Sequence, residues 1–212
     1  KENIWKLNLK EIKKYIKDAK AIYINTPNNP TGWVMNSQEQ SEILELCRKE
    51  KTWIISDEVY ERIIYDRKVA PSFLDISKDD DLLIVVNSFS KSWAMTGWRL
   101  GWMIVPEGLI SIFEKLNEFN VASPSSPAQH AGVVAINEGE KFIEKMIHDL
   151  KISRDIALNN LNNFSRVIFP YSQAAFYAYF KIKDISDSEK FCFDYSFIND
   201  LDLLTWPEYE VT

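Results

Sequence analysis

Two cationic side chains stand beside apolar runs in the segment IVVNSFSKSWAMTGWRLGWMIVP, which begins at residue 84. Lys91 follows a serine cluster that closes the first run, and Arg99 directly precedes the second. A lysine is nucleophilic only as the free amine, so catalysis needs burial or a nearby positive charge to lower its pKa. An arginine binds phosphate through its planar guanidinium group. A solvated surface lysine and a surface ion pair are the ordinary alternatives.

Other polar side chains extend this chemistry. Ser88 and Ser90 offer hydroxyl donors suited to phosphate oxygens. Asp57 offers a carboxylate and Tyr60, in the same DEVY segment, offers a phenol. Pyridoxal phosphate needs a lysine for its Schiff base, a carboxylate beside its pyridinium nitrogen and an anchor for its phosphate. The residue types together therefore indicate a pyridoxal 5'-phosphate site.

The elements that must position these side chains alternate along the chain. Helical spacing of apolar residues marks 7–19 and a second helix that begins at Ser37, with Gln40 completing a capping box. Four apolar segments read as strands: 21–25, 52–56, 82–89 and 99–106. Alternation of helices with nearly continuous apolar strands is typical of an α/β fold in which helices cover a mainly parallel sheet.

Polar clusters follow three of these strands at their carboxyl ends. The clusters are TPNNPTG at 26–32, DEVY at 57–60 and SFSK at 88–91. In open α/β sheets, ligands bind outside the carboxyl ends of the strands. We therefore expect the three clusters to form one pocket.

Composition excludes some classes of partner. The chain has 212 residues, 46% of them hydrophobic, and a net charge of −6. An acidic surface argues against nucleic-acid or anionic-membrane partners, and the longest apolar run, LLIVV, is too short to span a bilayer.

Cys47 lies on the apolar face of the second helix and is expected to be a buried free thiol, which fits a cytoplasmic location. His130 and His148 lack metal-ligand spacing, so no metal site is predicted.

Three segments, in this order, resemble the signatures of one enzyme family. NNPTG at 28–32, DEVY at 57–60 and SFSKSWAMTGWRLGW at 88–102 are similar to those of the class I/II aminotransferases, which are pyridoxal-phosphate enzymes of fold type I. The resemblance implies a three-layer αβα large domain followed by a small α+β domain. On this basis, residues 1–148 are the C-terminal part of the large cofactor-binding domain, and residues 149–212 are part of the small domain.

The resemblance also implies a role for each matching residue. Lys91 would form the Schiff base and move a proton, Asp57 would pair with the pyridinium nitrogen, and Tyr60 would bind the phenolic oxygen. The implied cofactor-binding set is Asn29, Asp57, Tyr60, Ser88, Ser90, Lys91 and Arg99. A cis bond between Asn29 and Pro30 is a further expectation.

The implied activity is transfer of an amino group between an amino acid and a 2-oxo acid, in a homodimer. A carbon–sulfur lyase or an aminocyclopropane-carboxylate synthase-like enzyme on the same fold remains an alternative, as does a non-catalytic fragment or binding module. The sequence does not identify the amino acid. Ser125 or Ser126, in SPSSP, would face the partner subunit's site, and Trp98 would shape the pocket wall.

Three departures from the family pattern affect these expectations. YSQAAFYAYF at 171–180 resembles the small-domain Gly-Ala-Phe-Tyr motif, but Ala174 replaces the glycine. No arginine follows Arg166 to clamp the substrate carboxylate, and residue 1 already lies just before the first signature strand. We therefore expect a fragment with poor turnover in isolation.

In the C-terminal part of the chain, sequence patterns predict a helix over 128–163, a strand over 176–182 and a helix over 188–200.

Overall fold

The computed structural model describes residues 4–199 of the chain. Short 3₁₀ turns at Ile16–Asp18, Phe73–Asp75, Thr96–Trp98 and Glu107–Leu109 link or extend the main elements. Those elements, in chain order, are α1 Leu9–Tyr15, β1 Ala21–Asn25, α2 Ser37–Glu50, β2 Trp53–Asp57, β3 Leu83–Ser88, α3 Phe89–Ser92, β4 Gly101–Ile104, α4 Ile110–Val121, α5 Ser126–Glu138, α6 Glu140–Leu161, β5 Val167–Ile168, β6 Lys181–Ile182 and α7 Ser188–Asn199.

The main sheet has the strand order β1-β2-β3-β4. The first three strands are parallel, and β4 returns antiparallel to β3. This arrangement confirms the mainly parallel sheet predicted from the alternation of elements. The pairing of Asn25 with Asp57, and of Asp57 with Val86, aligns the carboxyl ends of β1, β2 and β3 along one edge of the sheet.

The core lies between α2 and one face of this sheet. Because side chains alternate between the faces of a strand, Ile24, Ile54 and Val85 all point to this side and are buried there. The apolar face of α2 meets them, and each fully buried aliphatic side chain contributes about 1.5–3 kcal/mol. Cys47 is part of this cluster as a free thiol, as predicted.

The amino-terminal cap of α2 is one residue earlier than predicted. The Asn36 side chain accepts hydrogen bonds from the N–H groups of Gln38 and Glu39, and the Glu39 carboxylate accepts the Asn36 N–H. Ser37 does begin the helix, but the Ser37–Gln40 capping box was wrong. Asparagine is as good a cap as serine, and here Gln40 is buried with its amide donating to the Pro71 carbonyl.

The helical pattern over 128–163 forms two helices rather than one. α5 and α6 are separated at Gly139, where an added Cβ would lie 2.7 Å from Trp93 Cδ1. The chain can therefore pass close to the Trp93 ring only with a glycine at the junction. α6 is continuous across residue 148, and the domain boundary there stays a prediction.

The predicted strand over 176–182 was largely wrong. Only Lys181–Ile182 is a strand, paired with Val167–Ile168, while residues 176–180 keep an alternating exposure without ladder hydrogen bonds. A period-two pattern becomes a strand only where a second backbone lies alongside it. The predicted helix over 188–200 is confirmed as far as Asn199, and residues 200–212 of the predicted small domain lie outside the described part.

The helices of the described part of the chain are too short or too polar to cross a membrane.

Candidate active site

The loop at 26–32 is tied to the end of β1 by short polar contacts. The Asn29 N–H donates to Asn25 Oδ1 at 2.7 Å, and the Thr26 N–H donates to the Asp57 carbonyl at 3.0 Å. The Asn29–Pro30 bond is cis, as predicted, and the Thr26–Pro27 bond is cis as well. The Asn29 side-chain oxygen is buried without a hydrogen-bond partner. A polar ligand would satisfy such a group.

Gly32 joins this loop to the segment at 172–174. Its carbonyl accepts the N–H groups of Gln173 and Ala174, both at 3.1 Å. Its φ of +68° is left-handed, and an added Cβ would lie 2.7 Å from the Ala174 carbonyl oxygen. The close backbone approach therefore exists although Ala174 stands where the family motif has glycine. In this chain the glycine that permits the close approach is Gly32, which lies opposite residue 174.

Asp57 is held at the end of β2 by both carboxylate oxygens. Oδ2 accepts the Tyr23 hydroxyl at 2.5 Å, and Oδ1 accepts the Val59 N–H at 3.2 Å. The next residue, Glu58, turns the other way and is buried, with its carboxylate accepting the Ser56 hydroxyl at 2.8 Å. Burial raises the pKa of Glu58, while its hydrogen bonds lower it less. The turn after β2 is thus fixed on both sides of the sheet.

Tyr60 is buried, with a 3% exposed surface, and its hydroxyl forms a 2.6 Å hydrogen bond with that of Tyr177. The Phe176 ring packs edge-on against it at 5.5 Å between centroids. Burial, followed by the bond to Tyr177 and the charge of Asp57, raises the pKa of Tyr60 far above its ordinary value. The phenol is therefore a hydrogen-bond donor at neutral pH.

Lys91 lies in the short helix α3, partly buried. Its Nζ is 5.6 Å from the ring centroid of Tyr60 and 5.6 Å from that of Phe176. The structure therefore brings Lys91 to Tyr60 at the carboxyl edge of the sheet, where the sequence predicted a common pocket. An ammonium or amine group at this distance lies against the π faces of both rings.

The predicted phosphate-binding residues lie around the junction of β3 and β4. The Ser88 hydroxyl donates to the Leu100 carbonyl at 3.3 Å and accepts the Ser90 N–H at 3.0 Å. Arg99 is exposed, and its guanidinium donates to the Thr96 carbonyl at 2.9 Å. Ser88 pairs with Gly101, so the end of β3 lies beside the start of β4, two residues after Arg99. Ser90 is buried next to them.

Three residues that the sequence placed at a pocket or at a partner subunit form no hydrogen bond with these site residues in the described part of the chain. Trp98, Ser125 and Ser126 are exposed, and their predicted roles toward a pocket or a partner subunit stay predictions. Within residues 4–199 there is no cluster of three or more histidine, cysteine or acidic side chains that could hold a metal ion.

Three aromatic residues of the site were missed by the sequence reasoning: Tyr23, Phe176 and Tyr177. For Tyr23 a signal existed, because it lies two residues before Asn25, and Asn25 pairs with Asp57. Parallel register and strand alternation put Tyr23 on the face that carries Asp57. For the other two, nothing in the local sequence shows that residues 176 and 177 meet residue 60.

The fold and sequence both match known proteins. The chain superposes on the crystal structure of an aromatic aminotransferase from Pyrococcus horikoshii with a TM-score of 0.82 and 34% identity, covering 90% of this chain and 52% of that one. This confirms the predicted αβα fold of type I. An aromatic-amino-acid aminotransferase 2 from Thermococcus litoralis is 33% identical over 193 residues, which is 89% of this chain and 49% of the relative.

An aspartate aminotransferase from Pyrococcus abyssi is 35% identical over the same fractions of the two chains, 89% and 49%. The chain thus spans about half the length of the curated relatives it matches. Residues 1–192 match the family described as aminotransferase class I and II. The chain therefore belongs to the class I and II aminotransferase family.

Proposed function

We propose that this chain supplies the cofactor-binding part of a pyridoxal-phosphate aminotransferase, which moves an amino group between an amino acid and a 2-oxo acid. The observation that carries this proposal is the position of Lys91, with its Nζ 5.6 Å from the Tyr60 ring. Relatives named aspartate and aromatic-amino-acid aminotransferases support the same activity class.

The residues present fit pyridoxal phosphate. Lys91 offers a partly buried amine, Asp57 an oriented carboxylate and Tyr60 a phenol that keeps its proton. The Asn29 amide oxygen is buried and unpartnered, so it can accept one more hydrogen bond, while the Asn29 Nδ2 group is the donor that a phenolic oxygen would need. Carboxylate, phenol, amide and amine are the groups that the cofactor's ring nitrogen, phenolic oxygen and aldehyde require.

When bound, pyridoxal phosphate supplies an aldehyde for an amine and a conjugated ring that takes up electron density. Lys91 would act as nucleophile and proton carrier, since its amine lies where it can reach a group resting against Tyr60. Asp57 would hold the proton at the ring nitrogen, and Tyr60 and Asn29 would bind the phenolic oxygen. Hydroxyl and guanidinium donors would bind the phosphate: Ser88, Ser90 and Arg99.

We also propose a homodimer that acts on small amino-acid and 2-oxo-acid substrates in the cytoplasm. Support for the dimer comes from the family resemblance and from exposed apolar side chains on α4, including Leu116 and Phe119. A contiguous exposed apolar surface is typical of an interface. Support for the cytoplasm is the free thiols of Cys47 and Cys192.

Borohydride trapping tests the cofactor proposal. The chain is mixed with pyridoxal phosphate and reduced, and its peptides are weighed by mass spectrometry. We expect one labelled peptide, with the label on Lys91, and no label in Lys91→Ala. Lys115→Ala, an exposed lysine on α4, is the matched control and should label like the wild type. Labelling of Lys91→Ala to the same extent would contradict the assignment.

A panel of amino acids tests the reaction class. Conversion of the cofactor to pyridoxamine phosphate, with release of the matching 2-oxo acid, supports amino-group transfer. Release of pyruvate and ammonia would instead identify an eliminating lyase. Because poor turnover in isolation is expected, each amino acid is supplied at saturating concentration and a single half-reaction is followed. A chain that labels at Lys91 but converts none of the amino acids under these conditions would be a binding module, and amino-group transfer by this chain would be refuted.

A further inference from the structure

The Tyr23 side chain reaches Asp57 across the first two strands. Tyr23 pairs with Ile55 and Asn25 pairs with Asp57, so Tyr23 and Asp57 lie on the same face of the sheet. The Tyr23 hydroxyl donates to Asp57 Oδ2 at 2.5 Å. A hydrogen bond to an ionised carboxylate is about twice as strong as one between neutral groups.

Tyr23 is poorly explained as a packing residue. Its side chain is 62% exposed, and it belongs to none of the hydrophobic core clusters, although its neighbours Ile22 and Ile24 do. An aromatic residue that mainly fills the core would have its ring buried. In Tyr23 the hydroxyl is engaged and the ring is exposed, so the polar contact is what the residue contributes.

Tyr23 acts as a donor over the working pH range. Partial burial, the hydrogen bond to Asp57 and the charge of that carboxylate together raise the pKa of Tyr23 well above its ordinary value. Its proton is therefore retained at neutral pH.

The carboxylate keeps free capacity. An ionised carboxylate accepts about four hydrogen bonds, and Asp57 accepts one from Tyr23 on Oδ2 and one from the Val59 N–H on Oδ1. The two contacts fix the plane of the carboxylate and leave a lone pair on each oxygen for a further donor. Tyr23 therefore orients Asp57 without blocking it.

We propose that Tyr23 is a positioning residue that orients the Asp57 carboxylate toward the protonated ring nitrogen of the cofactor, and so strengthens the hydrogen bond between Asp57 and that nitrogen. This inference rests on the proposed function. It assigns no chemistry to Tyr23 itself. Tyr23 contributes by holding one carboxylate oxygen, so that the other acceptor sites of Asp57 face the ligand in a single orientation.

The test is a double-mutant cycle on cofactor affinity, measured by equilibrium titration of the chain with pyridoxal phosphate. Tyr23→Phe removes only the hydroxyl, and we expect its dissociation constant to rise about tenfold, which corresponds to about 1.4 kcal/mol. In an Asp57→Asn background the same change should have less than a twofold effect, because the ionised acceptor is gone. Tyr15→Phe, which removes a phenol that is 72% exposed, should leave the affinity at the wild-type value.

A second ligand separates positioning from a general structural effect. An analogue of pyridoxal phosphate with carbon in place of the ring nitrogen makes no bond to Asp57. Tyr23→Phe should leave its dissociation constant unchanged. Equal weakening for both ligands, an equal effect in the Asp57→Asn background, or no weakening for pyridoxal phosphate would each overturn the inference.

The failure of the proposed function gives a different pattern. If the wild-type chain binds no pyridoxal phosphate and Lys91 is not labelled by borohydride, both the function and this inference are refuted. If the wild type binds and labels normally but Tyr23→Phe matches it, only the inference is refuted.

Discussion

Replacing Gly32 by alanine should separate the loop at 26–32 from the segment at 172–174. Gly32 has a φ of +68°, and a left-handed alanine costs about 1–2 kcal/mol. The new Cβ would lie 2.7 Å from the Ala174 carbonyl oxygen, which is backbone and cannot rotate away. Forcing an extra methyl group into a tight contact costs about 1–3 kcal/mol.

The net loss follows from these terms and one opposing term. Alanine lowers the entropy of the unfolded chain relative to glycine, which offsets about 0.4–1 kcal/mol. We therefore expect Gly32→Ala to reduce the free energy of unfolding by about 1–4.6 kcal/mol, the sum of the costs less this offset. The hydrogen bonds from Gln173 and Ala174 to the Gly32 carbonyl would lengthen as the two segments part.

Urea denaturation followed by tryptophan fluorescence measures the change. Gly108→Ala is the matched control, because an added Cβ there meets no atom within 4 Å. Its unfolding free energy should stay within about 1 kcal/mol of the wild type. A Gly32→Ala chain as stable as the control would refute the reasoning about the contact. Since the loop carries Asn29, weaker pyridoxal-phosphate binding should accompany the loss of stability.

Three further outcomes are expected. Asp81→Asn should lower the free energy of unfolding by about 1–3 kcal/mol at pH 7, because the partly exposed Arg48 loses its buried partner. Arg48 holds the pKa of Asp81 below its usual value, so the difference in unfolding free energy between wild type and variant should shrink as the pH falls below about 4. Urea titrations at each pH measure this difference. Burial raises the pKa of Cys47 to about 11, so iodoacetamide should modify it at pH 8 on the order of 100-fold more slowly in the folded chain than in urea, by peptide mass spectrometry. Tyr177→Phe should cost about 0.5–1.5 kcal/mol of unfolding free energy by removing the hydrogen bond to Tyr60, and an unchanged value would contradict that bond.

The sequence was sufficient for the elements whose signals are local. The strands at 21–25 and 52–56 were predicted within one residue at each end, because continuous apolar runs bounded by turn residues have few other solutions. The meeting of the polar clusters at one edge followed from parallel topology alone. The approach of Lys91 to Tyr60 agrees with this expectation, while the roles assigned to Lys91, Asp57 and Tyr60 stay predictions.

What the sequence could not supply depends on contacts between distant segments. Tyr177 meets Tyr60 because the whole chain folds back, and the pattern around residue 177 only indicated a strand. The helix break at Gly139 reflects the approach of Trp93, which no helical periodicity records. The cap of α2 was displaced by one residue because two adjacent residues, Asn36 and Ser37, are both good caps.

The hydrogen bond between the hydroxyl groups of Tyr60 and Tyr177 joins residues 117 positions apart in the chain. A ligand that engages the Tyr60 hydroxyl therefore also acts on the position of residues 171–180. Thermodynamic linkage makes this influence mutual, so that a change that displaces residues 171–180 must alter the ligand's affinity by the same factor. Ligand binding at Tyr60 and the placement of residues 171–180 are in this sense one coupled equilibrium, and the hydrogen bond between the two phenols is one of the contacts that transmit it.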